Sequence, residues 1–309
     1  MFTRPSPTRQ SSVAARLPDL GTMRAMTGIS ATTLVTPDGR RTILAGGGFV
    51  LDISNNADDI VDAQRLRYDV FAAEPGFSDQ IGDARTGLDA DRFDEFCDHL
   101  LVRDTETGSL VGCSRLLPPP GAIAAGGWYS ATEFDLSDLD GIRSQTVEMG
   151  RACVAGDQRS GSVTALMWAA LLDYLNQADY RYLMGCVSVP LDGAVIRGGG
   201  APNPRGADLR GIRDTLLADH AAAWQARPLS APMVDGVPLD VIAAPSKVVV
   251  PPLMRGYLRL GAKVCGDPAV DDVFDVGDFL TVLDGDATSS RYRRRLQDTV
   301  LRLTAQGDA

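Results

Sequence analysis

Lysine is almost missing from this chain: of 30 basic residues only Lys247 and Lys263 are lysines, and the two histidines, His99 and His220, stand far apart. The preference for arginine reads as a genomic bias. Positive charge is also in the minority, 40 acidic residues giving a net charge of −10, which argues against general nucleic-acid binding because that needs a basic surface to displace counterions from phosphates. Long apolar runs are absent. Nothing approaches the roughly 18 uncharged apolar residues of a membrane span, and the first stretch of chain has no compact apolar segment of a signal peptide, so a cytoplasmic protein is expected. Cysteines are few and odd in number: Cys97, Cys113, Cys153, Cys186 and Cys265 lie mostly in apolar runs and read as buried thiols rather than a disulfide framework. What is present is core-forming material. A chain of 309 residues with 44% hydrophobic content buries a sizeable core as one large domain or two small ones.

Residues 1–45 are rich in Ser, Thr, Pro, Ala and Arg without a sustained period, and read as a flexible N-terminal extension. Gly46-Gly47-Gly48 precedes an apolar run, Phe49–Ile53, so it reads as a joint rather than a nucleotide loop. Asp58 is placed to cap a helix whose apolar positions Ile60, Ala63, Leu66, Val70 and Phe71 recur at helical spacing. An acidic loop with Asp79, Asp83, Asp89, Asp91, Asp94, Glu95 and Asp98 follows. It lacks the glycine and terminal glutamate of a calcium-binding helix-loop-helix, and no metal is expected. His99–Val102 and Leu110–Leu117, joined through Glu106–Ser109, form a β-hairpin pattern, with His99 in a structural role. Trp128–Phe134 reads as a short amphipathic turn.

The stretch from Thr146 to Tyr174 organises the rest. A strand, Thr146–Val154, passes through the polar loop Ala155–Gly161 into a helix that starts near Ser162, and a second strand, Tyr182–Val187, follows. Such a turn aims several backbone N–H groups at one place, which suits a phosphate. The crossover length fits two neighbouring parallel strands. Residues 190–252 are rich in Gly and Pro, with one helix from Asp208 to Trp224, and read as an insertion, lid or substrate wall. A helix opens at Pro251-Pro252-Leu253, Gly261 ends it, and strands follow at Ala262–Cys265 and Val276–Leu283. The sum is an α/β fold with helices on both faces of a sheet. From Arg291 to Leu303, Tyr292, Leu296, Val300 and Leu303 form an apolar stripe beside Arg291, Arg293, Arg294, Arg295 and Arg302, a basic amphipathic helix spanning 286–309 that fits an anionic membrane, an acidic carrier or the protein's own acidic body.

Several segments occur in an order that resembles the GNAT acyltransferase superfamily, and within it the ornithine N-acyltransferase or hemolysin-like branch, which is similar to acyl-homoserine-lactone synthases. They are Ala63–Phe71, Asp89–Asp94, Cys97–Val102, Gly112–Leu117, Glu148–Arg151 and Pro251–Ala262, together covering about residues 49–285. The resemblance implies a GNAT-type mixed, mostly antiparallel sheet within 46–285, carrying the insertion 190–252 after the fifth strand. It also implies transfer of an acyl group, long-chain by expectation, from acyl carrier protein or CoA to the amine of an amino acid such as ornithine, for lipo-amino acid or membrane-lipid synthesis. A non-catalytic carrier- or lipid-binding protein of the same fold, and a lactone-synthase-like enzyme, are the alternatives. No tightly bound cofactor is expected.

Residue roles follow from the same resemblance. Glu148 matches a general base and Arg151 stands with it; equally, Glu148 could be half of an ion pair with Arg151 or Arg115. Arg67, Phe71, Asp91, Asp94 and Arg115 match the acceptor side. Val154, Gln158, Arg159, Ser160, Gly161, Ser162 and Val163 match the donor site, with a backbone N–H near Cys153 or Val154 for the oxyanion. The superfamily's pyrophosphate loop, Gln/Arg-x-x-Gly-x-Gly/Ala, here ends in Val163, whose β-branched side chain would restrict close approach of a diphosphate. That favours the single phosphodiester of a carrier-bound phosphopantetheine, which the N–H groups of Arg159–Val163 would suit. Leu209, Ile212, Leu216, Leu217 and Trp224 supply either an acyl-chain wall or ordinary core.

Overall fold

The computed structural model describes residues 39–74, 81–158, 161–193 and 203–306, within the compact unit spanning 33–309. Alternating apolar residues build the strands β1 (Arg40–Gly46), β2 (Phe49–Ser54), β3 (Asp98–Asp104), β4 (Leu110–Leu117), β6 (Thr146–Val154), β7 (Tyr182–Pro190) and β13 (Val276–Asp284), with the short strands β5 (Phe134–Asp135), β8 (Arg227–Pro228), β9 (Met233–Val234), β10 (Val237–Pro238), β11 (Lys263–Val264) and β12 (Ala269–Asp271) between them. The main sheet has nine strands in the order β1-β2-β3-β4-β6-β7-β13-β11, with β12 also paired to β13. Every pairing in it is antiparallel except β6 with β7.

The helices are α1 (Ala57–Ala72), α2 (Pro119–Ala124), α3 (Ser162–Gln177), α4 (Ala207–Asp219), α5 (Pro252–Leu260) and α6 (Ser290–Gln306). One sheet face carries Leu100, Leu116, Val147, Met149, Leu183, Val187 and Phe279 into the main core beneath α3. The opposite face holds Leu101 and Cys113 under α1, and Met184, Leu280 and Val282 under the Phe93–Leu139 segment. The functional residues emerge on that second face.

Four local features differ from the sequence reading. Arg40–Gly46, counted with the flexible extension, is a strand, and Gly46–Gly48 is the turn of its hairpin with β2. Alternation there is interrupted by a register shift between Thr42 and Leu44, which hides the period. Asn56, not Asp58, caps α1, its side chain accepting the N–H of Asp58 at 2.9 Å. The helix expected over Asp208–Trp224 stops at Asp219, because the next residues run beside β11, where Ala222 N–H donates to Val264 O at 2.8 Å. Leu209, Ile212 and Leu216 are fully buried core residues, while Leu217 is partly buried against that core and Trp224 packs edge-on against Tyr182.

On α6, Leu296 and Val300 are buried, and the helix lies against α3, β1 and α5. The stripe offered for a membrane is therefore occupied by the protein's own core, and Arg291, Arg294, Arg295 and Arg302 remain exposed. The Leu303 side chain lies outside the described residues. No helix among the described residues is long and apolar enough to cross a membrane.

The central event in the sheet is where β6 and β7 part. Their parallel pairing covers only Thr146–Glu148 against Tyr182–Met184. Beyond it β6 keeps β4 as its ladder partner, and β7 keeps β13. Gly185 sits at the vertex, where an added Cβ would lie 2.4 Å from Met149 O. Replacing Gly185 with Ala is expected to lower unfolding stability by about 1–3 kcal/mol through that backbone clash. Urea denaturation measures it, and an unchanged midpoint would contradict the close approach.

Candidate functional site

A bulge re-aims the chain just past the vertex. Cys113 pairs with Cys153 and Arg115 with Gly150, so Arg151 and Ala152 together face Ser114, and Arg151 takes the left-handed conformation with φ of 50°. A bulge bends its strand and redirects a side chain. Here it turns the Arg151 guanidinium, with a quarter of its side chain exposed, to within 3.6 Å of Asp89 Oδ2 and over the rings of Phe71 (5.9 Å) and Tyr129 (6.0 Å).

Beneath it lies a buried ion-pair network that joins α1, the acidic loop and β4. Arg67, 1% exposed, donates from Nε to Asp89 Oδ2 at 3.0 Å and to both carboxylate oxygens of Asp94, at 3.0 and 2.9 Å. Arg115 meets Asp91 at 2.5 Å and Asp94 at 3.3 Å. Gln64 and the backbone N–H of Asp91 add two more donors to Asp94. These donors hold the Asp94 carboxyl well below the usual carboxylate range despite its burial. His99 Nε2 lies 3.0 Å from Asp94 O, and burial pushes the imidazole down to about 4, so it is neutral and donates to that carbonyl. Arg67, Asp94 and Arg115 are thus fully engaged with one another. Breaking one partner of such a buried set costs about 3–5 kcal/mol, so their first duty is to fix the shape of the loop.

Glu148 has a different environment from the ion pair entertained above. Its carboxylate accepts the backbone N–H of Tyr129 at 2.6 Å and of Ser130 at 2.8 Å, together with the Ser130 hydroxyl. It thereby caps the 3-10 turn Tyr129–Thr132, where N–H groups point outward without helical partners. Burial pushes its carboxyl up, opposed by those hydrogen bonds and by the charge of Arg115. Cys186 Sγ lies 3.4 Å from Ser130 Oγ, and burial keeps that thiol protonated.

The other end of the same turn brings in a residue that sequence reasoning missed. Glu133 caps it, and burial together with the charges of Asp278, Asp271 and Glu148 pushes the Glu133 carboxyl up to about 8, against the pull of Arg151. Its Oε2 is buried without a hydrogen-bond partner. Asp278, on β13, accepts from the Ser188 hydroxyl at 2.5 Å and is pushed up to about 6, chiefly by burial. A charged residue at an inward position of the apolar run Val276–Leu283 was the available signal.

On the donor side, Gly161 is the left-handed N-cap of α3, with φ of 89°, and Gln158 ends the 3-10 turn Gly156–Gln158. Ser162 opens α3, and Val154 lies at the end of β6. Arg159 and Ser160 lie outside the described residues. Val163 is wholly buried, packed on Gly112, where an added Cβ would sit 3.1 Å from Val163 Cγ1. Its side chain therefore points into the core and away from the loop, and the crowding expected of it does not arise.

Residues 66–169 match the family model described as the acetyltransferase (GNAT) domain. The chain is 32% identical over 279 residues to the L-ornithine N(alpha)-acyltransferase of Brucella abortus (strain 2308), covering 86% of this chain and 96% of that one. It is 32% identical to the protein of the same name from Rhizobium meliloti (strain 1021), covering 78% and 81%. The Rhodobacter capsulatus counterpart is 30% identical over 79% and 93%. Among solved structures, the CoA-dependent acyl-homoserine lactone synthase BjaI with SAM and isopentyl-CoA aligns with TM-score 0.45 and 14% identity, over 79% of this chain and 83% of that one.

The raised Glu133 carboxyl has a consequence for stability. In the unfolded chain the group titrates near 4.5, and in the fold near 8, so the folded protein holds a proton that the unfolded one has lost. Stability contributed by this group is therefore lost as pH rises through that window, and is constant below it. Burial sets most of the shift, the charges of Asp278, Asp271 and Glu148 add to it, Arg151 opposes it, and the Tyr129 hydroxyl is the further ionisable neighbour. Glu133→Gln is expected to raise the melting temperature of the unliganded protein at about pH 8–9, the gain fading toward about pH 5. An equal difference at both ends, read by calorimetry, would contradict it.

Proposed function

The chain belongs to the L-ornithine N(alpha)-acyltransferase family and is an N-acyltransferase with a GNAT domain, and from that premise we propose that it acylates the α-amine of ornithine or a closely similar amino acid. The donor is an acyl thioester of acyl carrier protein or CoA, and the product a lipo-amino acid that serves membrane-lipid synthesis. The observation that carries the reading is the agreement with these relatives over 81–96% of their length, and the sheet that parts beside a bulged arginine offers a place for the reaction.

In this reading the thioester lies in the gap between β6 and β7. Its phosphopantetheine phosphate rests on the α3 N-terminus, at Gly161, Ser162 and Val163, with Gln158, Arg159 and Ser160 completing the site, because the first N–H groups of a helix and the helix dipole favour an anion. With the Val163 side chain turned inward, the loop admits either CoA or a carrier-bound donor, and the exposed arginines of α6 suit an acidic carrier; a membrane contact would fall to the same charged face. In this reading a backbone N–H near Cys153 or Val154, beyond the point where the β6–β7 ladder ends, receives the thioester oxyanion.

Arg151, beside Phe71 and above the Arg67–Asp94–Arg115 clamp with Asp91, anchors the acceptor's carboxylate. Glu148 serves as base at one remove. As the amine nitrogen attacks the thioester carbon, the amine proton passes to Ser130 Oγ while the Ser130 proton moves to Glu148. The C–S bond then breaks as the amide forms, and the departing thiolate takes the proton that Glu148 accepted, returned through Ser130, so that Glu148 is again a carboxylate.

Incubating the full chain with acyl-CoA or acyl carrier protein thioesters and a panel of amines, with mass spectrometry of the products, tests the function. The expected product is Nα-acylornithine; no transfer from any donor would sink the reading. Glu148→Gln and Ser130→Ala are each expected to lower kcat by about 10²–10⁴-fold with donor binding retained. A rise in acceptor KM alone would remove Glu148 from the proton path.

A further inference from the structure

The transfer chemistry leaves two carboxylates of the site without a duty. Glu133 Oε2 is entirely withdrawn from solvent and has no hydrogen-bond partner. Asp278, 7% exposed, is met by one neutral hydroxyl, that of Ser188. The charge of Asp278 raises the affinity of Glu133 for a proton, Asp271 adds to both, and Arg151, already shared with Asp89, is the cation that opposes them. Burying two carboxylates side by side without a cation is costly, and a cation entering between them removes that cost. Glu148 is unlike them, because its oxygens are satisfied by the turn it caps.

The chemistry of the missing cation follows from the surroundings. Among the described residues no three His, Cys, Asp or Glu groups are placed to hold a metal ion, so an organic cation that brings its own N–H donors is the better fit. A single proton acceptor would need only one such carboxylate, whereas a pair suits a group that stays charged throughout the reaction. Placement also fits. Asp278 stands on β13 opposite Ser188 of β7, on one side of the gap, and Arg151 stands on β6 on the other. A small acceptor with its carboxylate at Arg151 and a second positive end at Glu133 and Asp278 would hold its reacting amine between the two strands.

We propose that Glu133 and Asp278 form the seat for a second, non-reacting ammonium group of the acceptor, and that this seat selects diamino acids over neutral amino acids of the same length. The proposal rests on the reading that Arg151 anchors an amino-acid acceptor. Asp271 acts from behind as a further negative charge, its own Oδ1 being committed to the N–H groups of Val273 and Phe274.

Calorimetric binding of L-ornithine and of L-norvaline, which lacks only the side-chain amine, to the full chain tests the seat directly. The wild-type protein should bind ornithine at least about tenfold more tightly than norvaline, and Glu133→Gln or Asp278→Asn should each bring the ratio toward one, since truncating one member of a desolvated charge pair costs that much or more. Melting temperatures of the two variants establish that they are folded. Equal affinities in the wild type, or a ratio untouched in both variants, would overturn the proposal. Product analysis with the same two acceptors separates it from the catalytic reading. Selective binding without any acyl transfer supports the seat and overturns the transferase assignment, whereas transfer to both acceptors at equal kcat/KM overturns the seat and leaves that assignment standing.

Discussion

The separation of β6 from β7 after Glu148 and Met184 is the constraint on which the rest of the molecule depends. A continuous parallel ladder would leave no room for a substrate between the strands and would satisfy every backbone group in line. Here Gly185 approaches the Met149 carbonyl too closely for any side chain, and the bulge at Arg151 turns β6 away immediately afterward. The gap is held open from both sides, β4 keeping its pairing to β6 and β13 its full nine-residue register with β7. The β6–β7 ladder ends at Glu148 and Met184, which leaves room between the two strands for a ligand.

Around that gap, charge is arranged in two regimes. Arg67, Asp89, Asp94, Arg115 and Asp91 satisfy one another so completely that they act as scaffold, tying α1 and the acidic loop to the sheet. Glu133 and Asp278 are held close to protonation by burial, to which the charges of Asp278 and Asp271 add at Glu133 and that of Asp271 adds at Asp278. The first set is satisfied within the protein, and the second is the one proposed to be completed by a substrate cation. Arg151 belongs to neither regime, since it is half-buried, singly paired at long range and turned toward two aromatic rings. That combination is why the proposed function gives it the substrate carboxylate.

Much of this frame was legible in the chain. Period-two alternation located β3, β4, β6, β7 and β13, and Pro252 and Gly261 marked both ends of α5. The ordered polar segments put Arg67, Asp91, Asp94, Arg115 and Arg151 in one neighbourhood, and the coordinates bring them together in one network with Phe71. Three things stayed hidden because they are tertiary. Registers determine the vertex at Gly185 and the bulge at Arg151, and no local pattern encodes either. Val163 reads as an obstruction in a loop motif, but its side-chain direction depends on Gly112, a distant strand residue that makes space for it. Glu133 and Asp278 lie far apart in sequence, within a short turn and an apolar strand, and become a pair only through the packing of that turn over β7 and β13. The stripe on α6 shows the converse: its period was plain, but what covered it was not.

A crystal structure of the protein with bound Nα-acylornithine tests the account at its centre. It should place the amide in the gap between β6 and β7 just beyond Glu148, with the ornithine carboxylate in hydrogen-bond contact with Arg151. A product found elsewhere, with β6 and β7 still parted around an empty gap, would contradict it.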